Sequence, residues 1–160
     1  MTTLTHLDEE GRVRMVDVSN KSATAREAVA QGVIKMQPET FELIREKKAK
    51  KGNVLETARI AGIMAAKRTA ELIPMCHPLC ITHAQIDFFP DPDTYSIRIE
   101  AIVRLAGQTG VEMEALTAVS IAALTIYDMC KSYDRAMTIS DVCLLKKSGG
   151  KSGTFERPSP

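Results

Sequence analysis

The chain has 160 residues, 44% of them hydrophobic, and its 21 basic and 20 acidic residues give a formal net charge of +1. This size and composition predict one domain with a buried core, and the near-neutral charge argues against a general nucleic-acid-binding protein. Four cysteines are too few for a disulfide scaffold, the N-terminus lacks the apolar stretch of a signal peptide, and no run of about 18 apolar residues could span a membrane. We therefore expect a cytoplasmic protein with reduced thiols that does not enter a membrane.

The first half of the chain carries signals for three elements after a polar N-terminal segment. The segment 24–36, "TAREAVAQGVIKM", fits either a strand or a helix by its pattern. Pro38 opens a short predicted helix, "PETFELIREKK". Asn53 and Glu56 have the spacing of a capping box, which predicts a longer helix that runs to Pro74. Small residues at every fourth position give this helix a stripe that another element can approach closely: Ala58, Gly62 and Ala66.

The second half predicts a hairpin, a long helix and a last strand. The runs "ITHAQIDFF" and "TYSIRIEAIVRLA" flank the turn "PDPD" and indicate a β-hairpin with one buried face. Thr109 and Glu112 have the spacing of a second capping box, and the helix predicted after them, "VEMEALTAVSIAALTIYDMCK", is apolar nearly all round, which indicates burial on several sides. "MTISDVCLL" is the last predicted strand. Helices between mainly antiparallel strands favour an α+β fold.

The stretch "IPMCHPLC" and the histidine that follows it leave several interpretations open. Its possible ligands or nucleophiles are Cys76, His77, Cys80 and His83. Structural zinc sites use two separated pairs of ligands, whereas these residues are contiguous, so we expect no metal. A nucleophilic Cys76 needs a base, and its neighbour His77 would point the other way on an extended chain. The cysteines can equally be core residues, or the two prolines can stiffen a loop whose His77 faces a ligand.

The C-terminal "GGKSG" is similar to part of a phosphate-binding loop. A Walker motif requires glycine where Leu145 stands, and the proline-containing tail offers no helix after the lysine. Two alternatives remain. The segment is either a solvated charged tail or a mobile flap whose lysines close over phosphates.

The long predicted helix carries a polar stripe on an otherwise apolar surface. The members of this stripe fall within an arc of about 120°: Glu114, Thr117, Thr125, Asp128 and Lys131. A pair at the spacing of Asp128 and Lys131 is often a surface salt bridge of little energy. If it is partly desolvated, each member shifts the pKa of the other, as proton-transfer catalysis requires. The spacing alone does not choose between these two interpretations.

Several of these segments together resemble one known family. "GVEMEALTAVSIAALTIYDMCK", "ARIAGIMAAKRTAELIPMCHPL", "MVDVS" and "KSGGKSG" are similar to the cyclic pyranopterin monophosphate synthases, the molybdenum cofactor biosynthesis C proteins. Met75 stands where leucine is common in that family. The resemblance favours a strand over 24–36. We expect a single synthase domain over residues 14–153, with mobile segments over 1–13 and 154–160.

The resemblance also implies an assembly and a reaction. The fold would be ferredoxin-like, and the protein a homohexamer, a trimer of dimers, with active sites at subunit interfaces. The substrate would be (8S)-3′,8-cyclo-7,8-dihydroguanosine 5′-triphosphate, which is derived from GTP by a preceding radical cyclase, itself a candidate partner. This substrate would be converted to cyclic pyranopterin monophosphate with release of diphosphate. No cofactor is expected, because ring opening, pterin closure and phosphate cyclisation require proton transfers but no redox step.

Three groups of site residues follow from the resemblance. Asp128 and Lys131 would be catalytic, with Lys51 as a further acid/base candidate. The residues that would line the substrate are Met75, Cys76, His77, Met113 and Glu114. Those assigned to phosphate contacts are Arg26, Lys67 and Lys147, whose charge would offset that of the leaving diphosphate.

The spacing along the long helix predicts a site shared between two chains. Glu114 and Asp128 lie fourteen residues apart, which is about 21 Å along a helix axis. One substrate can contact both most simply if the helix packs against an antiparallel copy of itself across a two-fold axis. Burial of the helix within one subunit would produce the same apolar pattern. The competing functional class is a non-catalytic oligomeric nucleotide-binding module or a zinc-stabilised interaction module.

Overall fold

The computed structural model describes residues 6–158. The segment 1–13, predicted to be mobile, lies partly outside the described residues. Within its described part, a bridge between Leu7 and Val13 closes a small turn, and the Asp8 amide donates to the Arg12 carbonyl at 2.9 Å. The limits predicted for the domain, residues 14 and 153, stay a prediction.

Helices and strands alternate along the chain in an α+β pattern. Their order and bounds are β1 (Thr24–Lys35), α1 (Pro38–Arg45), α2 (Val54–Lys67), α3 (Thr69–Leu72), β2 (His83–Asp91), β3 (Ser96–Gly107), α4 (Glu112–Cys130), β4 (Thr138–Ser148) and β5 (Phe155–Glu156). The strand predicted over 24–36, the hairpin and the two main helices are confirmed.

The strands form one antiparallel sheet in the order β2-β3-β1-β4-β5. The central strand β1 pairs with β3 along its whole length, from Thr24 opposite Gly107 to Lys35 opposite Ser96, and with β4 on its other side. Strands β1 to β4, with α2 and α4 in the two crossovers, have the βαββαβ arrangement of a ferredoxin-like fold. The predicted fold class is therefore confirmed.

One face of the sheet is covered by helices because its side chains alternate with period two. Along β3 every second residue is buried: Ile97, Ile99, Ala101, Val103 and Leu105. On β1, Ala28, Ala30 and Ile34 face the same core and are fully buried. The small alanines in both strands leave room for α4, which contacts β1, β3 and β4.

The small-residue stripe on α2 brings that helix close to α4. Ala58 and Ala66 are buried. A Cβ placed on Gly62 would lie 3.0 Å from the Ala118 carbonyl oxygen and 3.2 Å from Ile86 Cγ1. A larger residue at position 62 would push the two helices apart, so the stripe serves the packing that its spacing predicts.

Helix α4 is the central helix of the molecule. By length and composition it alone among the described helices could cross a membrane. Its apolar residues instead pack against α2 and the sheet, and Ala115, Ala118, Ala122 and Ile126 are fully buried. Core helices and membrane-spanning helices share this composition. One strip of α4 is left open, where the Leu124 side chain is 53% exposed.

Two predicted helix limits are wrong. The helix expected to run to Pro74 is interrupted at Arg68, because the Thr69 hydroxyl donates to the carbonyls of Ala65 and Ala66 at 3.1 and 3.2 Å and competes with the backbone amides for them. The second capping box also fails. Helix α4 begins two residues later than that box requires, and its N-cap is Val111, which makes no side-chain cap bond.

The C-terminal segment is paired with the sheet over part of its length. Strand β4 continues to Ser148, beyond the predicted end of the last strand, and Phe155 and Glu156 pair with Lys147 and Lys146. Arg157 extends this contact, since its amide donates to the Leu145 carbonyl at 2.7 Å and its Nε to the Leu144 carbonyl at 2.8 Å. Residues 149–154 are thereby held as the loop of a hairpin.

Candidate active site

A cleft lies beside the N-terminal end of α4 and consists of two adjoining cavities. The first cavity has a volume of about 500 Å³ and the second about 300 Å³. The residues that line both, and therefore join them, are Lys21, Thr109, Gly110 and Glu112. Their combined volume is that of a site for a small molecule.

The first cavity is basic. Four cationic side chains line it: Lys21, Arg26, Lys147 and Lys151. Glu112 is the acidic residue on the same wall. Two of the residues predicted to contact phosphate, Arg26 and Lys147, are thus brought together from different strands. An anion of high charge is the ligand class that this lining favours.

The hairpin loop forms one wall of the basic cavity. Gly149 and Gly150 have φ values of +92° and +75°, a region that other residues adopt at a cost. A Cβ on Gly149 would overlap the Ala25 carbonyl oxygen, and one on Gly150 would overlap Arg26 Nη1. Lys147 Nζ donates to the Ser152 hydroxyl across the loop. The two glycines of the "GGKSG" segment therefore lie against β1, while residues 151–153 are exposed.

Arg26 is held by the loop before α4. Its Nε donates to the Gly107 carbonyl at 2.9 Å and its Nη2 to the Gln108 carbonyl at 3.1 Å. The remaining nitrogen, Nη1, faces Gly150 and the cavity. These two hydrogen bonds to backbone carbonyl groups fix the plane of the guanidinium group. Arg26 therefore presents Nη1 to a ligand in a fixed orientation.

The second cavity contains every residue predicted to line the substrate. These are Met75, Cys76 and His77 from the loop after α3, and Met113 and Glu114 from the first turn of α4. His77 Nε2 lies 2.7 Å from the Val16 carbonyl oxygen. A carbonyl only accepts, so Nε2 carries the proton, and Nδ1 of a neutral ring is left as an acceptor.

Glu114 is the buried acid of the cleft. Its residue exposure is 3%, and burial raises the pKa of its carboxyl to about 7, with a further contribution from the charge of Glu112. A hydrogen bond to the carboxyl from the backbone amide of Glu114 itself lowers the pKa and partly opposes this shift. A carboxyl with this pKa can accept and donate a proton near neutral pH.

Cys76 is disfavoured as a nucleophile. Burial raises the pKa of its thiol, and the Glu114 charge raises it further. The thiolate is the reactive form of cysteine, so this environment keeps Cys76 inert. Across residues 6–158, no three His, Cys, Asp or Glu side chains are grouped as they would be around a metal ion.

The three residues predicted to be catalytic form a second group at the other end of α4. Lys131 Nζ donates to Asp128 Oδ1 at 2.6 Å. Lys51 Nζ donates to the Asp128 backbone carbonyl at 3.0 Å and lies 3.8 Å from Asp128 Oδ2. The hydrogen bond from Lys131, its charge and then the charge of Lys51 lower the pKa of the Asp128 carboxyl. We call Lys51, Asp128 and Lys131 the catalytic group, after the role that the resemblance predicts for them.

The catalytic group is exposed in a single chain. The side chains of Asp128, Lys131 and Lys51 are 62%, 52% and 48% exposed. Solvent screens such pairs strongly, and they add little to stability. Asp128 lies about 21 Å from Glu114 along the axis of α4. One chain therefore brings together the substrate-lining residues and, separately, the catalytic group, but not the two with each other.

Lys67 lies outside the cleft. It is at the C-terminal end of α2 and lines a small separate cavity of about 110 Å³. This cavity and the second cavity of the cleft share Leu79 and Glu114. Of the three residues predicted to contact phosphate, Lys67 is the one that the fold separates from the basic cavity.

The residue-by-residue predictions left out two basic residues of the cleft. Lys21 lies in a polar segment without periodicity, so nothing in the sequence marks it. Lys151 belongs to "GGKSG", the possible flap over phosphates. The sequence of that segment does not show that Lys151 lies in the same cavity as Arg26. Only the pairing of β4 with β1 and β5 does that.

Comparison with known proteins gives concordant matches. The sequence model of the MoaC family matches residues 15–150. The cyclic pyranopterin monophosphate synthase of Desulforapulum autotrophicum is 67% identical over 155 residues, which cover 97% of this chain and 95% of that protein. The proteins of the same name from Desulfatibacillum aliphaticivorans and Chloroflexus aurantiacus are 65% and 63% identical, again over 97% of this chain and over 98% and 95% of their own lengths. With these matches over nearly its whole length, the chain belongs to the MoaC family.

Proposed function

We propose that this protein is a cyclic pyranopterin monophosphate synthase of molybdenum cofactor biosynthesis. It converts (8S)-3′,8-cyclo-7,8-dihydroguanosine 5′-triphosphate to cyclic pyranopterin monophosphate and releases diphosphate. The observation that carries the proposal is the cleft, in which a basic cavity adjoins one lined by His77 and the buried Glu114. The similarity to relatives of that name supports the same function.

The two cavities suit the two halves of this substrate. The triphosphate lies in the basic cavity, where lysines and the fixed Arg26 offset the charge of the departing diphosphate. The guanine-derived rings lie in the second cavity. His77 Nδ1 and the Glu114 carboxyl there meet the polar edge of a purine or pterin, and the thioethers of Met75 and Met113 contact its faces.

The active site takes residues from two chains of a dimer. The cleft of one chain and the catalytic group of another come together if α4 packs against its antiparallel copy across a two-fold axis. The large apolar side chains left open on this side of the molecule support such a contact, since Leu124 of α4 and Ile60 and Met64 of α2 are 53%, 59% and 48% exposed. Three such dimers form the homohexamer.

Proton transfers are the work of the catalytic group and Glu114. The Asp128 carboxylate, whose pKa is lowered, serves as a base, and the ammonium groups of Lys131 and Lys51 donate protons to leaving nitrogen or oxygen atoms. Glu114 exchanges a proton near neutral pH. Contact with a second chain would exclude water from the catalytic group and strengthen its electrostatic interactions.

The proposed enzyme needs neither a metal nor an organic cofactor of its own. It acts in the cytoplasm on a small molecule, and the radical cyclase that supplies its substrate is a candidate partner.

Purified protein and enzymatically made cyclic triphosphate provide the direct test. Stoichiometric release of diphosphate, together with a pterin product identified by mass spectrometry, is the expected result. Tight binding of the triphosphate without diphosphate release would contradict the proposal and favour a nucleotide-binding module.

A further inference from the structure

Lys51 is carried by an irregular loop, residues 46–53, between α1 and α2. The loop turns twice through positive φ, at Lys47 (+57°) and at Gly52 (+99°). Ala49 is 7% exposed and anchors its middle in the core. The residues on either side of Ala49 are exposed. Among the described residues, the backbone–backbone hydrogen bonds of the loop do not reach α4, so the position of Lys51 beside Asp128 depends on other contacts between the loop and the rest of the site.

Tyr133 supplies such a contact. The Lys50 amide donates to the Tyr133 hydroxyl at 3.0 Å. Tyr133 lies in the turn that follows α4, two residues after Lys131, and its own amide donates to the Cys130 carbonyl at 2.8 Å. A single tight turn therefore carries Lys131 and also holds the residue next to Lys51.

This bond links the loop that carries Lys51 to the turn that carries Lys131. Lys131 reaches Asp128 Oδ1 from within α4 and its turn, at a spacing of three residues. Lys51 reaches Asp128 from a loop 77 positions away in sequence, at its backbone carbonyl. The Lys50–Tyr133 bond joins these two parts of the chain without using any atom of Asp128 or of either lysine side chain.

We propose that Tyr133 is a positioning residue for catalysis. Its hydroxyl fixes the 46–53 loop, so that Lys51 stays beside Asp128. The inference rests on the proposed function, because it needs Lys51 to act in the reaction. Tyr133 does not contact Asp128 through its side chain and is not assigned to the substrate cleft. Its loss should lower the rate of the chemical step and leave triphosphate binding unchanged, because Tyr133 lines neither cavity of the cleft and, within the part of the chain that the structure describes, its hydroxyl bonds only the 46–53 loop.

The test is Tyr133→Phe, with Tyr127→Phe as the matched control. The control removes another tyrosine hydroxyl near the same turn, one that donates to the Arg135 carbonyl at 3.1 Å and does not reach the 46–53 loop. We expect kcat of Tyr133→Phe to fall about tenfold with KM within about twofold, since one hydrogen bond of about 1.4 kcal/mol corresponds to a factor of ten. Tyr127→Phe should keep kcat within about twofold.

Hydrogen–deuterium exchange of the same three proteins supplies a readout that does not depend on activity. Peptides that cover residues 46–53 should exchange about tenfold faster in Tyr133→Phe, and at the wild-type rate in Tyr127→Phe, because only the first loses the bond to the loop. Unchanged kcat in Tyr133→Phe would overturn the inference, and so would an equal loss of kcat in both variants. If the wild-type protein releases no diphosphate, the proposed function fails instead, while faster exchange in Tyr133→Phe would still show that the hydroxyl holds the loop.

Discussion

Glu114 and Asp128 lie on one helix about four turns apart, and the fold buries the first while it exposes the second. Glu114 is 3% exposed beside the cleft, whereas the Asp128 side chain is 62% exposed at the other end of α4. The different surroundings of the two carboxyl groups shift their pKa values in opposite directions. Burial raises the pKa of Glu114, whereas Lys131 and Lys51 lower the pKa of Asp128. The simplest arrangement in which both could act on one small substrate is the proposed dimer, in which Asp128 of one chain lies near Glu114 of the other.

Mixing two inactive variants tests the shared site. Glu114→Ala and Asp128→Ala are combined under conditions that exchange subunits, and diphosphate release is measured. We expect each variant alone to be inactive and an equal mixture to regain up to about a quarter of wild-type activity, because about half of the dimers are then mixed and each mixed dimer has one intact site out of two. Folded mixed dimers, demonstrated by native mass spectrometry, that stay inactive would contradict the shared site.

Asp128→Asn and Lys131→Ala should each reduce turnover by at least about a hundredfold, as loss of a general acid or base does. Both side chains are exposed in the single chain, so the fold should survive with unfolding free energies within about 1 kcal/mol of wild type. Circular dichroism and size-exclusion chromatography check the fold and the assembly. Normal diphosphate release from either folded variant would show that the substituted residue is not catalytic.

Glu114→Gln should make stability less dependent on pH. The folded carboxyl has a pKa of about 7 against 4.5 for the ordinary group, so between these values the folded state holds a proton that the unfolded state has lost. The contribution of Glu114 to the free energy of unfolding therefore falls as pH rises from 4.5 to 7, by at most about 3 kcal/mol.

The glutamine variant lacks this group and should unfold at higher denaturant concentration than wild type at pH 8, with the difference vanishing near pH 4. Glu39→Gln is the control, because Glu39 is exposed at the start of α1. Denaturant titrations across this pH range provide the measurement. Parallel curves for Glu114→Gln and wild type would show that Glu114 ionises at its ordinary pKa.

Gly150→Ala should weaken binding of anions in the basic cavity, with Gly153→Ala as the matched control. Both glycines have positive φ, +75° and +66°, so alanine costs about 1 kcal/mol of backbone strain at either position. A methyl group at 150 also displaces Arg26, whereas a methyl group at 153 meets no atom within 4 Å. Calorimetric titration with inorganic pyrophosphate should show about tenfold weaker binding for the first variant only. Equal affinities in the two variants would exclude Arg26 from the anion site.

Elemental analysis after dialysis should find less than about 0.1 zinc per chain, because the Cys and His residues of the 76–83 segment lack the paired spacing of zinc ligands. Unfolding should be insensitive to chelators. One zinc per chain whose removal unfolds the protein would favour the zinc-stabilised interaction module.

The sequence by itself determined the class of fold and the types of the main elements except 24–36, whose pattern fitted a strand or a helix until the resemblance favoured a strand. Alternation of apolar residues along β3 and the small-residue stripe on α2 are local patterns that only one secondary structure can bury, so they could be read without coordinates. Helix limits were less predictable. The spacing of Thr109 and Glu112 matched a capping box, yet Val111 is the N-cap, α4 begins at Glu112, and Thr109 lines the cleft instead.

Only the tertiary structure decided which functional residues meet. Lys21 follows no pattern, and Lys147 and Lys151 stand more than a hundred positions from Arg26 in sequence, so their convergence depends on strand order and on the pairing of β5 with β4. Tyr133 is likewise unremarkable until the fold sets its hydroxyl against the Lys50 amide. Local patterns report which side of an element is buried, whereas a site requires distances between elements, and these arise only when the whole core packs.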